Sequence, residues 1–584
     1  MRIKHFFGLA VIAAMTASCS SNNDLVNGGN GSGENESGAS YASITIDLPT
    51  TSGTRAANDK FDGGTASEYA VNDATLLIFE KDGSSENAYK FVEKASLGNL
   101  EPWKKNNTNG ITTEATITAE LKNAKVGNTD YYALVILNNK DKNDAEKVTL
   151  PTGTTTYGAW NVAASATAAN LVDNTKGFYM ANAPEFTQNG TEPTTLVPIK
   201  GIYRTKEEAH SKPGTTVHVE RGLAKVTVGS NSSSDYFSTD GAAVTENKYK
   251  NDNVKITNWA LDVTNNFSFP VHMTTGLEKG ATLTGQTIQS YATIWNNVNK
   301  KTDRFVSQLK AEGAFKRVYW GIDPNYSMDL SDLAKCKAQF TLAEANGTGV
   351  TWNNGSGSDK PLYCLENTFD INNMLQGQTT RVLLKATYTP SVLASETDKT
   401  FFMIGNSSDI WTKENLTAQI KSKAEEVLKT TTGVTVTLKD KLLEGGTHFL
   451  DATTVEIKSG EDDKTSEVVD QLNTKLGLNK TNGVGIKTYK NGESYYIARI
   501  KHFGDDLTPW NAGETYGTDN DKYLGRYGVL RNNWYDLTIN SISGPGYPDV
   551  PEVKPDTPDD EDTKYINVSV KILDWAKRSQ EVNL

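Results

Sequence analysis

Lys564–Leu584 reads KYINVSVKILDWAKRSQEVNL, and within it Ile566, Val568, Val570 and Ile572 fall on every second residue, with Asn567, Ser569 and Lys571 between them. Side chains alternate between the two faces of a strand, so this spacing writes a β-strand with one apolar face, and Trp575 follows at its end. Immediately before it comes GPGYPDVPEVKPDTPDDED, Gly544–Asp562. Its prolines forbid regular pairing and its acidic cluster Asp559, Asp560, Glu561 and Asp562 repels itself, which predicts an extended, solvated spacer. A strand on such a tether either folds back into its own domain or leaves to complete the sheet of another molecule.

The other end of the chain mirrors this one. YASITIDL, Tyr41–Leu48, alternates again, with Ile44, Ile46 and Leu48 in step, and Pro49 ends it. The small-residue loop that follows, TSGTRAA, carries Arg55 as the only basic residue between Leu48 and Asn58. Exposed tips of this composition are where proteases cut, so the spacing predicts a removable strand with a trypsin-like site between Arg55 and Ala56. An ordinary first strand and loop is the plainer reading. Further upstream, Arg2 and Lys4 precede FFGLAVIAAM, a charged region followed by an apolar run too short for a membrane-spanning helix. Thr16, Ala17 and Ser18 then lead into Cys19, a lipobox-like sequence with Thr16 where Leu is usual, and the alternative is plain signal cleavage with a chance cysteine. Between the two features Ser20–Ser40 is rich in Gly, Ser and Asn, a flexible tether.

At 584 residues the chain has room for two to four domains. A net charge of −12 argues against a nucleic-acid surface, because phosphate affinity comes from Lys and Arg. Abundant Tyr, Thr, Asn and Gly with little helical periodicity predict an all-β, extracytoplasmic protein. Strands are expected at ATLLIFEKDG, ITTEATITAEL, YYALVILNN and GFYMAN, with YYALVIL apolar on both faces and therefore central. VHVERGLAKVTV is a junction between halves with a bend at Gly222. In VKITNWALDVTN, strict alternation sets Trp259, Leu261 and Val263 together against Ile256, Asn258, Ala260 and Asp262. TTRVLLKATY is another strand, and IKTYKNGESYYIARIKHF is a hairpin about Asn491-Gly492. Two helices are expected: one capped by Thr412 with Leu416, Ile420 and Leu428 on one face, the other carrying Val468, Val469, Leu472 and Leu476 and ending at Gly477.

No catalytic pattern emerges. The histidines, His5, His210, His218, His272, His448 and His502, are scattered without ligand spacing, and no G-x-S-x-G elbow appears. Cys336 and Cys364 are candidates for an envelope disulfide. The acidic run Asp556–Asp562 lacks the glycine turn of a calcium loop and reads as solvated spacer. No enzyme activity, metal or cofactor is expected.

YCLENTF (Tyr363–Phe369), TTRVLLKATY, YYIARIKHF, LGRYGVLRNNWYDLTINSISGPGYPDVP (Leu524–Pro551), VSVKILDWAKRSQEVNL, VERGLAKVTV and the SCS lipobox together resemble the Bacteroidales fimbrillins, the type V pilins, and among them the shaft subunit of the short fimbriae. The resemblance is scattered over most of the chain and strongest in its last sixty or so residues; residues 275–360 match little, which leaves their strand count open. It implies two transthyretin-like β-sandwiches with a few inserted helices. The implied divisions are a signal peptide at 1–18, a propeptide with tether and first strand at 19–55, an N-terminal sandwich at 56–222, a C-terminal sandwich at 223–544, and a linker with donor strand at 545–584. It also implies acylation at Cys19, delivery to the outer membrane, and cleavage after Arg55 by an arginine-specific protease. The displaced strand is then the one carrying Ile44, Ile46 and Leu48. Its place would be taken by another copy's Ile566, Val568, Val570, Ile572 and Trp575, giving a head-to-tail surface fimbria for adhesion and biofilm formation. Partners would be further copies, accessory fimbrial subunits, and host or bacterial receptors. A glycan-binding surface lipoprotein, using some of the ten Trp as stacking platforms, and a basal or accessory fimbrial subunit are the alternatives.

Overall fold

A computed structural model describes residues 38–48, 66–98, 105–106, 110–111, 114–128, 130–164, 166–167, 171–186, 193–274, 282–283, 286–287, 318, 320–326, 328–502, 523–559 and 566–574. Cys19, Arg55, Ala56, Trp575 and most of 275–317 lie outside these residues.

In the amino-terminal half the apolar runs become β1 (Ser40–Asp47), β2 (Ala74–Glu80), β3 (Lys90–Gly98), β4 (Glu114–Leu121), β5 (Tyr131–Leu137), β6 (Met180–Asn182) and β7 (Thr215–Arg221). They hydrogen-bond in the order β3-β2-β5-β6-β7-β1-β4, with Val197–Pro198 added beside β5. YYALVIL is β5, and every residue from Ala133 to Leu137 is fully buried, as a strand apolar on both faces requires.

β7 stops at Arg221, and β8 (Leu223–Ser230) begins one residue later in a different sheet. The residue between them is Gly222, whose N–H donates to the Tyr179 carbonyl at 2.8 Å. A Cβ there would come 3.0 Å from the Tyr179 ring, so this crossing favours a residue without one. Ala42 to Leu223, with Val271 and Leu365, form one hydrophobic core; a second begins at Ala224 and runs to Ile542.

The strands after β8 are β9 (Asn253–Asp262), β10 (Leu362–Leu365), β11 (Arg381–Thr389), β12 (Phe401–Ile404), β13 (Val434–Leu438), β14 (Gly446–His448), β15 (Val455–Ser459), β16 (Ile486–Tyr489), β17 (Glu493–Arg499), β18 (Asn533–Ile542) and β19 (Ile566–Asp574). β10-β8-β18-β19 make one sheet and β9-β11-β17, with Ala242–Ala243 beside β9, make another; the second core draws its residues from both. β12-β16-β14 and β13-β15 are small sheets sharing a third core with α1 (Lys413–Leu428) and α2 (Thr465–Lys475). Thr412 caps α1 by accepting from the Asn415 N–H, and Leu416 and Ile420 are buried; Val468 and Leu472 of α2 are buried too, and Gly477 turns left-handed after it. Both helices are therefore sheet covers.

Two expectations about the strands fail for nameable reasons. In β9 the register shifts between Ile256 and Asn258, so Thr257 bulges out; Ile256 then enters the second core beside Trp259 and Leu261, while Val263 joins a separate cluster. Asn491 and Gly492 do take positive φ, 52° and 76°, but the strands they join belong to different sheets, so no hairpin forms. Docking explains it: the Asn491 N–H donates to the Thr400 hydroxyl, and a Cβ on Gly492 would lie 2.2 Å from the Tyr388 carbonyl oxygen at the end of β11. Cys336 and Cys364 are both buried and free, in different clusters. Burial pushes the Cys336 thiol up to about 11 and the Cys364 thiol up to about 12.

Candidate assembly site

β1 lies inside its sheet. It pairs antiparallel with β4 without a bulge, from Ser40 opposite Leu121 to Asp47 opposite Glu114, and parallel with β7, from Ile44 opposite Thr215 to Asp47 opposite His218. Ala42, Ile44 and Ile46 are fully buried and Leu48 nearly so, all in the first core. The opposite face is covered as well. Thr45 Oγ1 lies 2.9 Å from Thr116 Oγ1, and a Cβ on Gly214 would meet Thr45 Oγ1 at 2.4 Å, so the chain before β7 rides directly over β1. Tyr41 and Tyr203 exchange both backbone hydrogen bonds at 2.8 Å, and the Ser40 hydroxyl donates to the Ala124 carbonyl. At the far end the His218 ring lies 3.8 Å from Asp47 and 3.5 Å from Glu185. Without β1, facing edges of β7 and β4 would stand unpaired over an apolar floor one strand wide.

The chain beyond the Arg55 loop is anchored separately. Glu68, in the single helical turn Ala66–Tyr69, is fully buried and takes Lys225 Nζ at 2.8 Å together with the Tyr363 hydroxyl, while its carbonyl accepts from Arg221 Nε at 2.7 Å. Burial pulls the Arg221 guanidinium down to about 10. These contacts tie the start of β2 to the β7–β8 crossing without using β1.

β19 occupies the edge of its sheet and pairs antiparallel with β18 of the same chain. Ile566, Val568, Val570 and Ile572 stand opposite Ile542, Ile539, Leu537 and Tyr535, four residues of the second core. Val568 is half-buried and packs against that core. Of the two fates open to this strand, the isolated chain takes the fold-back.

The segment before β19 departs from the solvated spacer expected of it. Tyr547 and Tyr495 exchange backbone hydrogen bonds of 2.7 and 2.9 Å, and the Gly544 and Gly546 carbonyls accept from the Tyr496 and Tyr489 hydroxyls. The Pro551 carbonyl accepts from Arg381 Nη2 at 3.0 Å, and the Thr557 carbonyl accepts from the Gln376 N–H at 2.9 Å. Asp559 is fully buried with an oxygen 3.0 Å from Arg499 Nη1; the pair is close but not aligned as a hydrogen bond. Arg381 and Arg499 are cross-strand neighbours on β11 and β17, and Asp262 on β9 takes Arg381 at 2.7 Å. Like charges opposite one another are unfavourable. Asp559 is thus pulled onto the protein because a second buried arginine needs a carboxylate, and local repulsion loses to that demand.

Among the described residues no cluster of His, Cys, Asp or Glu could hold a metal, and no helix is long and apolar enough to cross a membrane.

The strap made by residues 544–559 and β19 fall in the region where a family comparison succeeds. Residues 487–581 match the family described as major fimbrial subunit protein type IV, fimbrillin, C-terminal. Over this carboxy-terminal part the chain is similar to the fimbrillins. The fimbrillin match spans β17, β18, the strap and β19. No curated protein sequence matches the chain. Among solved structures, a putative cell adhesion protein from Parabacteroides distasonis aligns at 9% identity, over 92% of this chain and 98% of that one, with a TM-score of 0.35. One from Bacteroides eggerthii aligns at 12% identity over 91% and 96%, with a TM-score of 0.29. The carboxy-terminally truncated tip fimbrial protein Mfa3 from Porphyromonas gingivalis aligns at 10% identity over 92% and 100%, with a TM-score of 0.26. The family match, rather than these distant likenesses, bears on function.

Ile44, Ile46 and Leu48 thus lie together in the first core, and the four apolar residues of β19 lie in one strand at the edge of another sheet. Sequence reasoning missed Glu68, Arg499 and the burial of Asp559. Arg381 and Arg499 carry a usable signal, a basic residue at the end of each of two strands, but only after those strands are known to be neighbours.

Proposed function

We propose that the protein is a structural subunit of a surface fimbria, exported as a lipoprotein acylated at Cys19, cut between Arg55 and Ala56, and polymerised by strand exchange. In this reading 56–222 and 223–544 are two transthyretin-like sandwiches, and the crossing at Gly222 between two cores supports that division. The fimbrillin match running through β19 is the observation that carries the reading.

The geometry supplies the physics. In sequence Arg55 lies between β1 and the Glu68 anchor, so a cut there separates β1 from the rest of the chain. While tethered, β1 competes for its slot at an effective concentration on the order of millimolar, and the cut removes that advantage. β19 matches the slot in pattern: Ile566, Val568, Val570 and Ile572 repeat the spacing of Ala42, Ile44, Ile46 and Leu48. Among the described residues β19 has one ladder partner on its own chain, whereas in the slot of another copy it would have two. Each added backbone hydrogen bond contributes about 1 kcal/mol net, and each large apolar side chain about 1.5–3 kcal/mol, against association costs of about 4–15 kcal/mol. The packing that β19 gives up beside β18 is offset by like packing in the slot, so the second ladder is the gain that favours exchange once β1 has left.

Sequencing the amino terminus of material sheared from cells tests export and processing together, with Ala56 expected as the first residue. Arg55→Ala should yield a folded monomer that retains β1. Fibres of wild-type length from that variant would refute the mechanism.

A further inference from the structure

β4 is the last strand on its side of the sheet, and among the described residues its ladder runs to β1 alone. Losing β1 would therefore strip β4 of every sheet hydrogen bond described for it, and a slot with a loose wall is not a template for an incoming strand. One side chain grips β4 from elsewhere. Glu93 sits on β3, at the opposite end of the same sheet, which curls so that β3 and β4 meet. Its carboxylate receives three successive backbone N–H groups from the turn that ends β4: Lys122 at 2.8 Å on Oε2, and Asn123 at 2.8 Å and Ala124 at 2.7 Å on Oε1. Glu93 is 7% exposed, and Leu121 and Ala124 beside it are buried in the first core. Hydrogen bonds to an ionised acceptor are roughly twice as strong as neutral ones, and water competes poorly for a buried one.

We propose that Glu93 is a positioning residue that holds the far wall of the slot in place after β1 has gone, so that the vacated sheet stays ready for a new strand. The proposal rests on the reading that β1 is removable. It adds that the receptive state is built by a carboxylate that neither touches the donor nor belongs to either exchanging strand. The short helix Lys206–His210 also packs near β4, but it approaches β1 as well and loses that support when β1 leaves.

The test uses the full chain nicked after Arg55. The freed strand is washed out in mild urea, and a fluorescent peptide of residues 40–48 is offered on return to buffer. In the wild type the amides of Lys122, Asn123 and Ala124 should stay protected from hydrogen exchange after β1 is removed, and the peptide should be recaptured. In Glu93→Gln, which keeps the side chain's size, and in Glu93→Asp, which cannot reach all three amides, protection at these sites should be lost and recapture slowed by about tenfold or more. The un-nicked variants should retain protection along β4, because β1 still pairs with it. Equal capture rates in wild type and both variants, or loss of protection at 122–124 in the nicked wild type, would overturn the proposal. A peptide of residues 564–576 separates the two ideas. If it fails to bind a slot that recaptures residues 40–48 in a Glu93-dependent way, strand exchange by β19 is wrong and the clamp stands.

Discussion

Asp559→Asn isolates the carboxylate that ties the carboxy-terminal strap to the body of the protein. Both partners of the Asp559–Arg499 pair are almost wholly buried, at 0% and 2% side-chain exposure. Arg499 stands in cross-strand register with Arg381, which is itself paired with Asp262. The asparagine keeps the volume and removes one charge, leaving Arg499 uncompensated beside Arg381. Breaking a buried pair from one side costs about 3–5 kcal/mol, a large fraction of a domain's roughly 5–15 kcal/mol. With a urea slope of about 2–3 kcal/mol/M, the unfolding midpoint should fall by about 1–2.5 M. Limited proteolysis should in parallel find the chain around residues 554–559 newly exposed, because the ties that remain beside Asp559 are hydrogen bonds from Gln376 to the Thr557 and Pro558 carbonyls. Replacing both partners by apolar residues, Arg499→Met with Asp559→Leu, should restore most of the loss, since the penalty belongs to the orphaned charge. Asp556→Asn is the control: it is exposed three residues earlier in the same run. A midpoint for Asp559→Asn within about 0.3 M of this control would refute the reasoning.

Ending the chain at Asp562 removes an edge strand rather than a central one, so the monomer should stay folded with its melting point lowered by a few degrees and should form no fibres; fibres from this variant would show that β19 is not the donor. Lys147 is 2% exposed, and burial first of all, only partly offset by Asp173, Asp73 and Asp141, pulls its ammonium down to about 8. The folded state then binds fewer protons than the unfolded state between pH 8 and about 10.5, so this group's penalty is full below 8 and fades as pH rises through that window. Lys147→Met should remove that rise from the stability–pH curve measured against wild type, and an unchanged curve would count against it. Cys336 and Cys364, buried with raised pKa values, should resist iodoacetamide at pH 8 in the native protein and both react after denaturation; a disulfide between them in mass spectra of unreduced protein would contradict the fold.

Period-two spacing, a capping threonine and a run apolar on both faces are properties of neighbouring residues, so the sequence alone determined that YASITIDL and INVSVKILD are strands, that YYALVIL is central, and that α1 begins after Thr412. Turn chemistry was local in the same way, and Asn491-Gly492 does turn with positive φ. What the turn connects was not local: the Tyr388 carbonyl and Thr400 hydroxyl, far away in sequence, decide that the two flanking strands enter different sheets. The bulge at Thr257 likewise belongs to the pairing of β9 with β11, and it moves Ile256 to the face that strict alternation denies it. Charge shows the same division most plainly. Four acidic residues in a row repel one another wherever they are, and only the tertiary structure places Arg499 under Asp559, where Coulomb attraction in a buried site outweighs that repulsion. Whether β19 sits on its own sheet or on another molecule's is likewise beyond periodicity, because both positions ask for the same alternating face and differ only in which unpaired edge lies within reach.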